Sequence, residues 1–166
     1  MTPDWDSIIR EYGHDVFGTA YRILGHADDA EDVVQEVFLE AHGMRSPDKV
    51  RSWKAVLKRM AGFRAIDRLR RRYPEQPGTF TEPTDRHNGP QDTLAAMELQ
   101  ARLRAALARI PAQQATVFCL KYFEGFGTEQ ICEATAMSAT GVTTALHKAK
   151  RRLQELMRES GDNIDE

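Results

Sequence analysis

The chain contains little cysteine and has no long apolar run. Its two cysteines, Cys119 and Cys132, are too few for a disulfide framework and lack the CxxC spacing that is typical of a zinc site. No stretch approaches the roughly 18 apolar residues that a membrane span requires. The amino terminus has neither a basic nor an apolar leader region. We therefore expect no membrane span, a cytoplasmic location, no metal and two buried thiols.

Motifs of the common enzyme classes are missing as well. The sequence has no glycine-rich phosphate loop and no nucleophile elbow. Glu36, Glu40 and His42 are not repeated as paired Glu-x-x-His motifs, which a di-metal helical bundle would need. The sequence therefore predicts no catalytic residues, no cofactor and no enzyme.

Charge is segregated along the chain, although the formal net charge is only −2. The first 44 residues contain ten acidic and two basic residues, whereas residues 45–72 contain eleven basic and two acidic ones. Residues 138–158 are again basic, with five basic residues against one acid, and the tail 159–166 has four acids and no base. Two basic blocks in separate halves indicate a polyanionic partner.

A segment rich in proline divides the chain. Residues 73–91 include four prolines and two glycines and have almost nothing apolar to bury, which predicts an extended linker. On this interpretation the chain has a first lobe (1–72), a linker (73–91), a second lobe (92–158) and an acidic tail (159–166). The sequence leaves open whether the linker is a plain tether or passes through a partner.

Apolar residues recur at a helical period in both lobes, and no segment alternates with period two over a sustained length. We therefore predict an all-α fold. In the first lobe the helices are expected around Trp5 to Ile23, from an acidic cap near Asp28 to Gly43, and from Ser52 to Arg72. In the second lobe they are expected at Asp92–Ala108, Ala112–Phe123, Thr128–Thr135 with Thr128 as cap, and from Ser138 to about Met157. A short helix, a tight turn and a long helix are typical of a helix-turn-helix.

The last helix has two distinct faces. Val142, Ala149 and Leu153 belong to an apolar seam. The opposite face carries hydroxyls, an imidazole and cations, which suit base edges and phosphates in a major groove. The candidate DNA-binding residues of this element are Ser138, Thr140, Thr143, Thr144, His147, Lys148 and Arg151. The alternative is a solvated basic surface.

The basic block of the first lobe forms a stripe, because Arg64, Arg68 and Arg71 are spaced for one helix face. Like charges in this arrangement repel, and a polyanion would relieve the repulsion. The aromatic residues Trp53, Phe63 and Tyr73 are candidates for stacking on unpaired bases, although the core is the better expectation for Trp53. The candidate nucleic-acid contacts here are Lys54, Lys58, Arg59, Phe63, Arg64, Arg68 and Arg71, and a solvated face is again the alternative.

Several of these motifs resemble one protein family. The run DDAEDVVQEVFLEA at 28–41 resembles region 2.2 of bacterial extracytoplasmic-function (ECF) sigma factors of the sigma-70 family. Leu57, Met60 and Ala61, with DRLRR at 67–71, resemble regions 2.3 and 2.4. The pattern from Leu107 to Leu153 resembles region 4.

This resemblance implies two small helical domains, a region 2 bundle and a region 4 helix-turn-helix, joined by a flexible linker. It implies binding to the clamp helices and flap of core RNA polymerase, recognition of the minus-ten and minus-thirty-five promoter elements, and a possible anti-sigma factor. The basic block of the first lobe would contact the minus-ten element and the last helix the minus-thirty-five element. The residues implied for polymerase binding are Asp28, Asp29, Glu31, Asp32, Gln35, Glu36 and Leu39.

The sequence shows departures from the family pattern and leaves alternatives. Phe63 stands where the family usually has an asparagine, and the tryptophan at Trp53 lies three residues early, which alters the loop 46–52. A stand-alone helix-turn-helix regulator with a dimerisation lobe would bind a palindrome without polymerase. An interaction scaffold is a further alternative, which a transcription assay would separate.

Overall fold

The computed structural model describes residues 2–73 and 93–162, and every regular element within them is helical. The first lobe consists of α1 (Trp5–Leu24), α2 (Ala27–His42), a 3-10 turn (Pro47–Lys49) and α3 (Trp53–Arg72). The second lobe consists of α4 (Leu94–Leu107), α5 (Ala112–Tyr122), α6 (Thr128–Thr135) and α7 (Ala139–Asp162). The all-α prediction is confirmed. The predicted linker beyond residue 73 and the end of the acidic tail, residues 163–166, lie outside the described residues.

Side-chain caps begin the helices of the first lobe. Ser52 caps α3 as predicted, because its Oγ accepts a hydrogen bond from the backbone N–H of Ala55 at 3.2 Å. The predicted acidic cap of α2 is wrong. The N-cap is His26, which has an extended backbone and whose Nδ1 accepts from the N–H of Asp29 at 3.3 Å. Asp28 and Asp29 instead lie within the first turn, where their charges favour the helix dipole.

Gly25 ends α1 in a left-handed conformation, with φ +66°. Its N–H donates to the carbonyl of Tyr21 at 2.7 Å. A Cβ at this position would lie 2.5 Å from Cζ of Arg104, which comes from the second lobe. Arg104 Nε donates to the carbonyl of Ile23 at 3.0 Å. The left-handed backbone therefore favours glycine at this position, and a side chain here would also displace the guanidinium of Arg104.

The helix-turn-helix of the second lobe is closed by two local devices. Ser138 caps α7 as predicted, since its Oγ accepts from the N–H of Gly141 at 3.0 Å. The predicted Thr128 cap of α6 is wrong, because Gly127 is the N-cap and its N–H donates to Gln130 Oε1 at 2.8 Å. Ala136 makes the tight connection between the two helices with a positive φ of 59°.

The two lobes share an apolar core. One cluster includes Ile23 of α1, Val33 of α2 and Leu69 of α3 together with Leu107 and Leu153 of the second lobe. Trp53 is half-buried against this cluster, with its ring 5.3 Å from that of Trp5. None of the described helices is long and apolar enough to cross a membrane.

Helix α3 makes most of the helix-to-helix contact between the lobes. Ala55 lies in a second apolar cluster that is otherwise built from residues of the second lobe, including Leu120 and Phe126. A Cβ at Gly62 would lie 3.1 Å from Cγ2 of Thr116, so α3 and α5 approach closely at this glycine. The sequence pattern did not predict this arrangement of the lobes.

The cysteines differ in exposure, and the expectation of two buried thiols is wrong for one of them. Cys119 is buried and burial raises the pKa of its thiol, whereas Cys132 is half-exposed. Because the thiolate is the reactive form, we expect a thiol reagent to modify Cys132 rapidly and Cys119 only after unfolding in urea. Thiol titration with and without urea measures this difference. The variant Cys132→Ser should lose the fast reaction, and two fast thiols in the native chain would contradict the buried position of Cys119.

Candidate partner and nucleic-acid interfaces

The outer face of α2 is polar around one exposed leucine. Asp28, Glu31, Gln35 and Leu39 are spaced by three or four residues and are all exposed, so they form one stripe along the helix. Leu39 is 75% exposed. The stripe thus presents apolar area that a protein partner could bury, with polar side chains around it.

The inner face of α2 is already paired with α3. Arg68 Nη2 donates to Glu36 Oε1 at 2.6 Å and Nη1 lies 3.6 Å from Asp29 and 3.7 Å from Asp32. Similar ion pairs lie on both sides along the helices. Arg64 Nη2 lies 3.1 Å from Glu40 Oε2, and Arg72 Nη2 lies 2.7 Å from Asp29 Oδ2. We call this set of ion pairs between α2 and α3 the charge ladder.

The charge ladder relieves the repulsion between the arginines of α3. Burial alone would lower the pKa of Arg68, but its hydrogen bond to Glu36 and the nearby carboxylates raise it above the ordinary value. The carboxylates of α2 thus supply part of the negative charge that the basic stripe was predicted to find in a polyanionic partner. Asp29, Asp32 and Glu36, expected at the polymerase, and Arg64 and Arg68, expected at DNA, all take part in these pairs.

The remaining candidates on α3 are more accessible. Lys54 and Arg71 are exposed, and among the described residues Arg71 pairs only with Asp67, one helical turn before it, at 2.8 Å. Phe63 is half-exposed, with the guanidinium carbon of Arg59 5.8 Å from its ring centroid. This cation–aromatic pair offers a flat surface and a positive charge together, as stacking on bases requires.

The loop before α3 borders a groove of about 400 Å³. It is lined by Met44, Ser46, Lys49, Val50, Arg51, Ser52, Ala55, Val56 and Glu133. Glu133 belongs to α6, and its carboxylate lies 4.0 Å from Arg51. The second lobe therefore forms one wall of a groove whose other residues come from the first lobe.

Lys58 differs from the other candidates because the second lobe covers it. Its side chain is 10% exposed, and its Nζ lies 3.3 Å from Oε1 of Glu124, in the turn after α5. Arg22 Nε donates to Glu124 Oε2 at 2.7 Å, and Thr19 Oγ1 donates to Glu124 Oε1 at 2.5 Å. We call the group of Thr19, Arg22 and Lys58 the carboxylate pocket.

Glu124 is held ionised in this pocket, although its side chain is fully buried. Burial alone would raise the pKa of Glu124, but hydrogen bonds from Arg22 and Thr19 and the charges of Arg22 and Lys58 hold it below its ordinary value. At pH values above the ordinary pKa of a glutamate, ionised Glu124 therefore stabilises the contact between the lobes. This stabilisation is lost as the pH falls through the lowered pKa of Glu124.

Sequence reasoning missed Thr19, Arg22 and Glu124. Arg22 is one of only two basic residues in an acidic block of 44, which is a weak signal at most. Thr19 belongs to no motif, and Glu124 lies in the stretch that resembles region 4, where nothing in the sequence assigns it a contact with the first lobe. Their contact joins positions more than 100 residues apart, and no local pattern encodes such a separation.

The predicted DNA-binding face of α7 lies in solvent. The candidates Ser138, Thr140, Thr143, Thr144, His147, Lys148 and Arg151 are all exposed. Val142, Ala145, Ala149, Leu153 and Leu156 are buried and hold the helix on the lobe. Lys148, Arg151, Arg152 and Glu155 border a groove that Pro111 and Gln114 at the amino-terminal end of α5 complete. Arg151 Nε lies 3.7 Å from Glu155 Oε1 on the same exposed face.

Comparison with known proteins gives two family matches. The model for sigma-70 region 2 matches residues 8–74, and the model for sigma-70 region 4 matches residues 100–153. The chain is 32% identical to ECF RNA polymerase sigma factor SigL of Mycobacterium tuberculosis, over 86% of this chain and 82% of SigL. It is 27% identical to ECF RNA polymerase sigma factor SigW of Bacillus subtilis, over 92% of this chain and 88% of SigW.

Solved structures show the same fold at lower identity. The sigma factor RpoE, in complex with the anti-sigma factor NepR from Bartonella quintana, superposes with a TM-score of 0.59 at 22% identity, covering 93% of this chain and 97% of RpoE. CnrH, in complex with the cytosolic domain of CnrY, superposes with a TM-score of 0.57 at 18% identity, covering 93% of this chain and 88% of CnrH. The likeness extends over both lobes.

The charge ladder predicts unequal costs for two neighbouring arginines. Arg68→Ala removes the hydrogen bond to Glu36 and the ion pairs to Asp29 and Asp32, and we expect it to lower the free energy of unfolding by about 1–3 kcal/mol. Arg71→Ala removes an exposed local pair and should cost less than about 0.5 kcal/mol. Urea unfolding followed by circular dichroism measures the free energy of unfolding of both variants. Equal losses would show that the charge ladder stabilises the fold no more than an exposed local ion pair does.

Proposed function

The chain belongs to the extracytoplasmic-function family of RNA polymerase sigma factors. From this premise we propose which of its surfaces bind polymerase and which bind promoter DNA. It is a sigma factor that binds core RNA polymerase and directs promoter-specific transcription initiation. The comparisons favour this function over a stand-alone helix-turn-helix regulator. The residue assignments that follow are our proposal.

The proposal rests on the contrast between the two faces of α2. Its inner carboxylates are paired with the arginines of α3, whereas its outer stripe faces solvent. The outer stripe of Asp28, Glu31, Gln35 and Leu39 is therefore the surface we assign to the clamp helices of polymerase. Asp29, Asp32 and Glu36 have a second role, since they position α3 beneath it.

Promoter recognition is divided between the lobes. We assign the minus-ten element to residues 1–72, through Lys54, Lys58, Arg59, Phe63 and the ladder arginines Arg64 and Arg68 with Arg71. We assign the minus-thirty-five element to residues 92–158, through the exposed face of α7. Each lobe supplies part of a DNA site, so polymerase raises the effective concentration of one lobe once the other is bound.

Further parts of the proposal follow from the same role. The chain acts by binding and without catalysis or a cofactor of its own, in the cytoplasm, where polymerase and promoter meet. RpoE was solved with an anti-sigma factor, and we include a protein of that kind among the proposed partners. The flap of polymerase is the proposed partner of the second lobe, and residues 73–91 connect the two.

Run-off transcription tests the function directly. The purified chain added to core polymerase should direct defined transcript starts on genomic DNA fragments that core polymerase alone does not use. The absence of defined starts would contradict the function, provided that a characterised ECF sigma factor works in the same assay.

Leu39 provides the sharpest test of the polymerase surface. Burying a leucine stabilises a complex by about 1.5–3 kcal/mol, so Leu39→Asp should weaken binding to core polymerase at least about tenfold. Fluorescence anisotropy of the labelled chain measures the affinity. The control is Leu94→Asp at the start of α4, because Leu94 is 73% exposed and Leu39 is 75% exposed. Equal losses in both variants would contradict the assignment.

Arg151 tests the face of α7. If it contacts one phosphate, Arg151→Ala should weaken promoter binding by the reconstituted complex and reduce the salt slope by about 0.9. Arg10→Ala removes the same charge from the exposed surface of α1 and should leave the slope unchanged. An unaltered slope in Arg151→Ala would remove this residue from the DNA contacts.

A further inference from the structure

The carboxylate pocket is a site for an anion that the second lobe fills. Glu124 is the only group of the second lobe in it, and its two oxygens receive hydrogen bonds from Thr19 and Arg22 and an ion pair from Lys58, within the described residues. All three pocket residues belong to α1 and α3 of the first lobe. The pocket would therefore stay with the first lobe if the lobes moved apart.

Separation of the lobes would remove the carboxylate from this pocket. Lys58 and the half-exposed Arg22 would lose their shared ion-pair partner, while the Thr19 hydroxyl would keep its hydrogen bond to the carbonyl of Asp15 at 3.1 Å. A phosphate presents the same negative charge and the same kind of acceptor oxygens as a carboxylate, and it accepts charge-assisted hydrogen bonds from Arg and Lys in the same geometry. Lys58 also lies one helical turn after the exposed Lys54 on α3.

A second ion pair between the lobes has the same polarity. Glu133 of α6 lies 4.0 Å from Arg51, just before α3. Thus two carboxylates of the second lobe lie on cations that precede and follow Lys54 in the first lobe. A series of cations along one helix and its preceding loop fits a ligand with repeated negative charges, which is what a nucleic-acid backbone offers.

We propose that Thr19, Arg22 and Lys58 form a binding site for a backbone phosphate of promoter DNA, and that Glu124 occupies this site in the closed chain. This proposal rests on the proposed function and adds Thr19 and Arg22 to its DNA-binding residues. It gives Glu124 the role of a phosphate mimic. The isolated chain is then a weak DNA binder because its own second lobe competes for the site.

The test is DNA binding by the full chain without polymerase. Glu124→Gln keeps the shape of the side chain and removes the competing charge. We expect it to bind single-stranded oligothymidine about tenfold more tightly than the natural chain, with a salt slope steeper by roughly 0.7, as one additional phosphate contact requires. Fluorescence anisotropy over a range of salt concentrations measures both. No gain in affinity would overturn the proposal.

A second variant separates a phosphate site from simple opening of the lobes. In the Glu124→Gln background, Arg22→Ala should abolish most of the gain, because the pocket has lost one of its two cations. Arg10→Ala in the same background is the matched control on α1 and should keep the gain. A gain that survives Arg22→Ala would mean that the lobes open without a phosphate binding in the pocket, which overturns the proposal.

Two further arms keep the result interpretable. If Glu124→Gln does not fold, Ala55→Gln replaces it in the test. Its larger side chain overfills the apolar contact between the lobes, so we expect it to raise the affinity for DNA as well. A polyglutamate peptide is the protein-type anion, and a gain for this peptide without one for oligothymidine would overturn the assignment to DNA. Run-off transcription by the natural chain reports on the proposed function separately, since its failure would leave the anisotropy comparison unaffected.

Discussion

Helix α3 packs against α1 and α2 on one side and against α5 and α6 on the other. It is therefore held by apolar contacts on two sides and by the charge ladder along a third. Little of the helix surface remains for a ligand. Since the same helix carries most of the proposed minus-ten contacts, its packing decides which of them DNA can reach.

In the structure, the acidic and basic blocks of the first lobe pair in part with each other, whereas the charge counts alone predicted that both seek partners. The acidic first 44 residues and the basic residues 45–72 are next to each other in space, and part of each neutralises the other. What remains for partners is the difference between the two: the outer stripe of α2, and on α3 the cations Lys54 and Arg71 with the pair of Arg59 and Phe63. The charged surface that is left for partners is therefore smaller than the charge counts predict.

Local patterns predicted the helices well because local forces set them. The helix period located each apolar face, and the hydroxyl caps at Ser52 and Ser138 were identified from residue type and position. The caps of α2 and α6 were predicted wrongly because several polar residues competed within one turn, and backbone geometry selected His26 and Gly127. Periodicity also identified the exposed face of α7, since only its seam packs on the lobe.

The contact between the lobes could not be predicted in this way. Ala55, Gly62 and Lys58 look like ordinary positions of an amphipathic helix, and their burial depends on α5 and α6, which follow more than 50 residues later. Ala55 and Gly62 are small enough for a close contact between helices. Alanine is also common in helices that make no such contact, because of its high helix propensity, and a single glycine does not indicate a contact either. Glu124 illustrates the same limit, because its partners are defined only after the whole chain has folded.

The closed arrangement also limits how partners can act on it. A ligand shifts a two-state equilibrium only by the difference between its affinities for the two states. The proposed polymerase contacts on the outer stripe of α2 are equally available in both arrangements, so they would not separate the lobes by themselves. Opening would require contacts that the observed arrangement conceals, and the concealed surface runs from Ala55 through Lys58 to Gly62 on α3. A partner that holds the lobes apart and DNA that enters between them would therefore reinforce each other, whereas a partner that bridges the closed lobes would oppose both.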